Sequence, residues 1–220
     1  MAPVKVFGMA RSGNVARVLV CLEEVGVEYE VVNMDFAAGE HKGPEHLARN
    51  PFGQIPAFQD GELILFESRA ISRHVLRKYK TGDVDLLRED NLEDSAAVDI
   101  WLEVEVHQYK PAVYPIVYQH LIVPMRGGTP DQKLIAECIE KTKKVLEVYE
   151  SRLSKFKYLA GDFFSLADLS HFPITYYFMR TPYASVLDSY PSVKAWWEDL
   201  MSRPAVQRVV FQLPKGTDEL

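Results

Sequence analysis

The chain has 220 residues, of which 47% are hydrophobic and 25% are charged, and its formal net charge at pH 7 is −6. This length suits one large domain or two small ones, and the composition is that of a soluble globular protein with a substantial core. The negative charge disfavours nucleic acid or an anionic membrane surface as the main partner.

The two cysteines, Cys21 and Cys138, are too few for a disulfide scaffold and have no metal-ligand spacing. Both lie in helical patterns and are predicted to be small buried side chains. No apolar run near the N-terminus is long enough for a signal peptide, and no segment is long enough to span a membrane. We therefore expect a cytoplasmic protein.

The first part of the chain alternates strand and helix patterns. A strand is predicted at Val4–Phe7, followed by a helix from Asn14 that ends before Gly26. A second strand at Tyr29–Met34 is predicted to lie parallel to the first. A polar, irregular segment follows, with a short helix at Pro44–Ala48.

The stretch beginning at Arg49 and reading RNPFGQIPAFQDGELILFESRAI predicts a hairpin followed by a helix. Its elements are a strand running through Pro56 to Asp60-Gly61, an antiparallel strand at Leu63–Phe66, and a helix at Arg69–Tyr79 capped by Ser68. The strand opened by Pro56 is predicted to be an edge strand, with the helix N-terminus beside it offering free N–H groups to a carboxylate. A thioredoxin-like domain builds a peptide pocket in this way.

After a charged linker, strand patterns disappear and only helices are predicted. They are Asn91 to about Tyr118, bent near Pro111 and Pro115, then Asp131–Lys155, Leu166–Met179 and Pro191–Ser202. Ser165 and Asp168 have the form of a capping box and are given structural roles. The predicted architecture is an α/β thioredoxin-like βαβ-ββα domain at 1–80 followed by an all-α domain at 90–220.

NPFGQIPAFQDG followed by LFESRAI resembles the plant phi class of glutathione S-transferases, and the resemblance covers essentially the whole chain. It implies conjugation of reduced glutathione to hydrophobic electrophiles, in detoxification or stress response, without a metal or redox cofactor. It also implies a homodimer, with Phe52 inserted between helices of the second subunit.

The resemblance further implies the glutathione-binding residues. Pro56 is expected to be cis, and the backbone of Ile55 to pair with the cysteinyl part of glutathione. Glu67 and Ser68 are expected to hold the γ-glutamyl end. In AGEHKGPEHL, His41 and Lys42 are expected to bind the glycine carboxylate, with Gln54 binding the backbone beside it.

RSGNVAR resembles the phi-class segment whose serine activates glutathione, with Ser12 on the catalytic position and Arg17 matching an arginine further along the helix. A thiol with a pKa of about 8.5 is only about 3% thiolate at pH 7, and lowering that pKa by two units requires about 2.7 kcal/mol. A hydrogen bond to a charged group supplies about 1.5–3 kcal/mol and a helix N-terminus about 0.3–1 kcal/mol. The alternative for Ser12 is a plain helix cap. No G-x-S-x-G elbow supports a serine hydrolase, and no cysteine at this position supports thiol exchange.

The second substrate is expected in an apolar cleft between domains. Its predicted aromatic walls are Phe36, Tyr114, Tyr118 and either Tyr177 or Phe178. Arg11 and Gly13 flank Ser12 where the family commonly has apolar or bulky residues, which leaves the electrophile preference open.

Three other functions are compatible with the same residues. Glutathione peroxidase activity on organic hydroperoxides is a second activity open to the same thiolate. A non-catalytic carrier of planar anions such as flavonoids, with Arg11 holding the charge, and a docking module are the alternatives. Ser12 counts against the last two without excluding them.

Overall fold

A computed structural model describes residues 3–82 and 84–213; residues 214–220, the end of the predicted second domain, lie outside this description. The described residues form two units. The first contains those up to Asp85 together with Pro204–Leu213, and the second those from Leu86 to Arg203. The return of Pro204–Leu213 to the first unit is a feature that the predicted boundaries did not include. None of the described helices is long and apolar enough to cross a membrane.

The sheet of the first unit has four strands in the order β2-β1-β3-β4. These are β1 (Val4–Gly8), β2 (Tyr29–Asn33), β3 (Ala57–Asp60) and β4 (Leu63–Phe66). The β1–β2 pair is parallel, as predicted, and the other two pairs are antiparallel. The prediction of an edge strand after Pro56 is wrong, because β3 pairs with both β1 and β4. Pro56 precedes β3, so its missing N–H removes no bond from the sheet.

The α-helices of the described residues are α1 (Gly13–Val25), α2 (Pro44–Arg49), α3 (Ser68–Lys78), α4 (Leu92–Val104), α5 (Lys110–Val117), α6 (Val123–Met125), α7 (Gln132–Leu153), α8 (Leu166–Phe178), α9 (Pro191–Ser202) and α10 (Pro204–Val210). The helix predictions in the first unit hold to within two residues. α1 ends at Gly26, whose φ of 66° is the left-handed conformation that glycine adopts readily. Cys21 and Cys138 are buried and free, as predicted, and burial raises the pKa of the Cys21 thiol to about 12.

The helix predicted to end near Tyr118 instead continues in segments to Met125, so that boundary was wrong. Two π-helical turns, Glu105–Tyr109 and Tyr118–Ile122, interrupt it. Each is followed by a short α-helix with a proline in its first turn, Pro111 or Pro124. Because proline has no N–H to donate, a wider turn just before it accommodates the missing bond without ending the helix.

The capping box predicted at the start of α8 is present between Ser165 and Asp168. One carboxylate oxygen of Asp168 accepts hydrogen bonds from the Ser165 amide and hydroxyl, at 2.9 and 3.0 Å. The other accepts from the Leu159 amide at 3.0 Å and from Trp196 Nε1 at 2.9 Å. Asp168 is fully buried, and burial raises the pKa of its carboxyl above the ordinary value despite these four bonds. This side chain therefore joins the loop before α8 and helix α9 to the start of α8.

Asp60, the last residue of β3, ties the sheet to the end of α3. Its buried carboxylate accepts from Lys78 Nζ at 2.6 Å, from His74 Nε2 at 2.9 Å and from the Tyr79 hydroxyl at 2.9 Å. Burial raises the pKa of the carboxyl, but the bonds from Lys78, His74 and Tyr79 outweigh burial, and the net pKa lies below its ordinary value of 3.8.

Asp60→Asn is expected to lower the free energy of unfolding at pH 7 and to flatten its acid dependence. A carboxyl whose pKa is lowered on folding stabilises the fold above its unfolded pKa of 3.8, and that contribution is lost as the pH falls below this value. Urea unfolding between pH 7 and 3 measures this. Glu62→Gln, an equal charge change at an exposed residue of the same hairpin, is the matched control. Parallel curves for Asp60→Asn and wild type would contradict the prediction.

Candidate functional site

Ser12 lies at the N-cap position of α1, immediately after the loop that follows β1. Its backbone is extended, with φ −74° and ψ 126°, and its carbonyl accepts the first helical hydrogen bond from Ala16 at 2.8 Å. Its side chain makes no capping hydrogen bond. The hydroxyl therefore lies beside the unsatisfied N–H groups of a helix N-terminus without being used to cap them.

Ile55 and Pro56 are joined by a cis peptide bond, as the resemblance implied. Ile55 packs against the buried side chains of Phe7, Met34 and Ala57. It also lies next to the end of β1, since a Cβ added to Gly8 would come within 3.3 Å of the Ile55 Cβ and 2.7 Å of a Val15 methyl. Glycine at this position thus allows the cis-proline loop to approach the start of α1.

Two buried polar side chains hold the loop before Ile55. His46 Nε2 and Asn50 Nδ2 both lie 2.8 Å from the carbonyl oxygen of Gln54. Because a carbonyl only accepts, Nε2 of His46 carries a proton. Both side chains are almost fully buried, whereas Gln54 is exposed. Sequence reasoning gave His46 no role; Asn50 lies inside the NPFGQIP motif, which was the available signal.

Arg17 connects the beginnings of α1 and α3. Its guanidinium is buried, and Nη1 donates to Asn14 Oδ1 and to Ser68 Oγ, each at 3.0 Å. Because Arg17 donates to the hydroxyl oxygen of Ser68, the proton of Ser68 is left to donate elsewhere. Arg17 thereby holds the N-terminus of α1 close to the N-terminus of α3 and its Ser68. This arrangement is suited to binding a carboxylate.

The prediction that Ser68 caps α3 is wrong. Ser68 is the first helical residue and is buried, while Glu67 takes the cap position with a positive φ of 69° and makes no side-chain cap bond. Such a backbone conformation is unfavourable for a residue with a side chain, and residues held in it cluster at functional sites. Glu67 is exposed, and its conformation sets the start of α3 one residue earlier than predicted.

His41 and Lys42 lie in a 3₁₀ turn, Glu40–Lys42, that follows β2. Lys42 Nζ donates to the carbonyl oxygen of Phe52 at 3.0 Å, which joins this turn to the NPFGQIP loop. Gly53 permits the approach, because a Cβ there would lie 2.8 Å from both the His41 carbonyl oxygen and Lys42 Cδ. Burial lowers the pKa of His41, and the charges of Lys42 and His46 lower it further.

The predicted electrophile-binding residues are placed in the two units separately. In the first unit Phe36 stacks on His41, and Arg11 is exposed. In the second unit Tyr114 and Tyr118 lie with ring centroids 5.9 Å apart, and Tyr114 is 44% exposed. Tyr177 and Phe178 lie in α8, where every residue is buried. The cleft that these residues were predicted to form stays a prediction.

Phe52, the predicted dimer contact, is 64% exposed and meets the ring of Phe66 edge-on, with centroids 6.1 Å apart. Its exposure is compatible with the predicted subunit contact, which stays a prediction because single exposed apolar side chains are common on protein surfaces. Across residues 3–82 and 84–213, no group of three or more His, Cys, Asp and Glu side chains could hold a metal ion.

Comparison with known proteins gives matches along the whole chain. Residues 2–77 match the family model for the glutathione S-transferase N-terminal domain, and residues 108–204 match that for the C-terminal domain. The rice protein (Oryza sativa subsp. japonica) named probable glutathione S-transferase GSTF1 is 68% identical, over 98% of this chain and 100% of its own length.

Solved structures of glutathione transferases also match this chain. Glutathione transferase F7 from Populus trichocarpa superimposes with a TM-score of 0.93 at 52% identity, covering 96% of this chain and 99% of its own. Glutathione S-transferase I from maize, in complex with an atrazine glutathione conjugate, superimposes with a TM-score of 0.92 at 58% identity. That match covers 98% of this chain and 100% of the maize chain.

Proposed function

Because the chain belongs to the glutathione S-transferase family, and within it to the phi class, we propose that Ser12 supplies the hydrogen bond that stabilises the glutathione thiolate. The chain is a glutathione transferase, which joins reduced glutathione to hydrophobic electrophiles. In this reaction the thiolate sulfur forms a bond to the electrophilic carbon, the leaving group departs with the electron pair, and the thiol proton is released.

The observation that carries the proposal is the uncommitted hydroxyl of Ser12. A serine that only capped α1 would accept a hydrogen bond from the second or third amide of the helix, and Ser12 does not. Because no helix amide holds its oxygen, the Ser12 hydroxyl can rotate to donate its proton to a sulfur anion, and the dipole of α1 adds to the stabilisation of negative charge.

The remaining parts of glutathione are assigned to the residues around Ser12. Ile55 pairs its backbone with the cysteinyl part, and Glu67 and Ser68 hold the γ-glutamyl end. The Ser68 hydroxyl, with its oxygen already accepting from Arg17, is suited to donating to a carboxylate. His41 and Lys42 hold the glycine carboxylate and Gln54 the neighbouring backbone.

The test is a panel of hydrophobic electrophiles and organic hydroperoxides, assayed with purified protein and reduced glutathione. Conjugation that falls in Ser12→Ala while glutathione binding persists would support the proposal. A protein that binds glutathione and planar anions without turning over any compound of the panel would be a carrier, and would contradict it.

Lys42→Ala and Gln54→Ala are expected to raise KM for glutathione more than they lower kcat. Both residues are assigned to parts of glutathione remote from the sulfur, so their loss weakens ground state and transition state alike. Steady-state kinetics with glutathione as the varied substrate measures this. Lys157→Ala, which removes an exposed lysine in the second unit, is the control. Lost turnover at saturating glutathione with unchanged affinity would show that the roles are wrongly assigned.

A homodimer is part of the proposal, with Phe52 as its central aromatic contact. Phe52→Ala is expected to weaken the dimer by about 2–4 kcal/mol, the usual cost of truncating a buried aromatic at an interface. Sedimentation velocity across a concentration series measures the dissociation constant. Phe211→Ala is a matched control, because Phe211 is also a highly exposed phenylalanine. A wild-type monomer at micromolar concentration would contradict the proposed assembly.

We also place the protein in the cytoplasm. Both cysteines are free and buried, as suits a reducing compartment, and reduced glutathione is the co-substrate.

A further inference from the structure

Phe36 lies flat against the imidazole ring of His41. The ring centroids are 4.1 Å apart and the planes differ by 8°. Phe36 also packs on the buried cluster of Phe7, Met34 and Ala57, against which Ile55 packs as well. It therefore connects His41 to the core of the first unit.

No hydrogen bond to Nδ1 fixes the orientation of the His41 imidazole within the described residues. This nitrogen is buried and has no hydrogen-bond partner within residues 3–82 and 84–213. The backbone of His41 is restrained from the other side by the close approach of Gly53. The stacking on Phe36 therefore restrains the rotation of the imidazole.

The segment Asp35–Gly43, which carries both rings, has hydrogen bonds between Asp35 and Glu40 but no buried residue. The Asp35 amide donates to Glu40 Oε2 at 2.7 Å, and the Glu40 amide donates to the Asp35 carbonyl at 3.0 Å. No residue from Asp35 to Gly43 is buried, and Phe36 is its one large apolar side chain. The ring of Phe36 is thus the apolar contact of this segment with the core, beside the bond from Lys42 to the Phe52 carbonyl.

We propose that Phe36 is a positioning residue for glutathione, holding the His41 imidazole in the orientation that meets the glycine carboxylate. It rests on the proposed role of His41 in binding that carboxylate. The proposal gives Phe36 a second role, because the sequence analysis placed this residue only in the electrophile site. Substitutions that remove the aromatic ring of Phe36 to alter electrophile preference will alter glutathione affinity as well.

Two substitutions distinguish the effect of the aromatic ring of Phe36 from the effect of its apolar volume. Phe36→Leu keeps an apolar side chain on the core but removes the stack, and it is expected to raise Kd for glutathione about three- to tenfold. Phe36→Tyr keeps the ring and should leave Kd within about twofold of wild type. Calorimetric titration with reduced glutathione alone measures both. Phe211→Leu, the same change at an exposed phenylalanine with no assigned role in the site, should leave Kd for glutathione unchanged.

A double-mutant cycle shows whether Phe36 acts through His41. His41→Ala should raise Kd, and Phe36→Leu added to it should raise Kd no further. An equal effect of Phe36→Leu in both backgrounds would overturn the proposal.

A spectroscopic signature tests the stack without any ligand. The carbon-bound ring protons of His41 should be shifted upfield by the Phe36 ring current in wild type and in Phe36→Tyr, and not in Phe36→Leu. If the shift is present but His41→Ala leaves glutathione affinity unchanged, the proposed role of His41 fails, and the inference with it. If His41→Ala weakens binding and Phe36→Leu does not, only the inference fails.

Discussion

Ser12→Ala is expected to lower the conjugation rate at neutral pH by roughly ten- to hundredfold, while glutathione binding stays nearly intact. The loss corresponds to one hydrogen bond to a charged group, about 1.5–3 kcal/mol, removed from the thiolate. Most of the proposed contacts to glutathione lie elsewhere, at His41, Lys42, Ile55 and Ser68, so affinity should change little. The dipole of α1 remains, which is why activity should not vanish.

The pH dependence separates this role from a helix cap. Without the Ser12 hydroxyl, the pKa of bound glutathione should move toward that of an ordinary thiol, about 8.5. The mutant should therefore recover activity as the pH rises, because solvent then ionises the thiol unaided. An ultraviolet titration of the bound thiolate in wild type and mutant measures both midpoints. Ser12→Thr retains a hydroxyl and is the matched control, and Ser12→Cys should not restore conjugation. An unchanged midpoint in Ser12→Ala would leave Ser12 as a cap alone.

Periodicity was sufficient to predict most elements of this fold. The α9 helix at Pro191–Ser202 was predicted with its observed bounds, because a proline at its start and an apolar stripe through Trp196 define it locally. The β3–β4 hairpin followed from Asp60-Gly61, and Gly61 has the positive φ of 62° that such a turn needs.

Two features were missed because they depend on partners distant in sequence, namely the central place of β3 in the sheet and the helix α10. Pairing of β3 with β1 makes it a central strand, and nothing near Pro56 reports that pairing. α10 was not predicted because it is short. Its place is set by distant contacts, with the Arg208 guanidinium bonded to Glu23 and Gln212 Nε2 donating to the Tyr29 hydroxyl at 3.1 Å.

The candidate site shows the same division between local and distant information. Ser12 at the start of α1 and the cis-proline loop are local features, and motif resemblance was enough to select them. The bond from Arg17 to Ser68 spans 51 positions, and the bond from His46 to Gln54 depends on how α2 packs against the following loop. The hydrogen bonds that hold the site together were therefore harder to predict from the sequence than the residues expected to contact glutathione.

Asp168→Ala is expected to destabilise the protein by about 3–5 kcal/mol, a large part of the roughly 5–15 kcal/mol typical of a folded domain. The carboxylate is fully buried and satisfies the backbone amides of Ser165 and Leu159 and the indole N–H of Trp196. Without it, those donors are left buried and unpaired, at about 1–3 kcal/mol each. Water entering the space left by the side chain would offset part of this cost.

Urea unfolding monitored by tryptophan fluorescence measures the free energy of unfolding of the Asp168 variants. Trp196 is a suitable probe because its indole donates to Asp168. Asp168→Asn should fall between wild type and alanine, because its amide keeps one acceptor oxygen where the carboxylate has two. Asp188→Ala is the matched control: Asp188 forms an exposed ion pair with Lys194, a class worth about 0–1 kcal/mol. If Asp168→Ala and Asp188→Ala unfold at similar urea concentrations, the Asp168 carboxylate does not hold the start of α8 in the way its hydrogen bonds indicate.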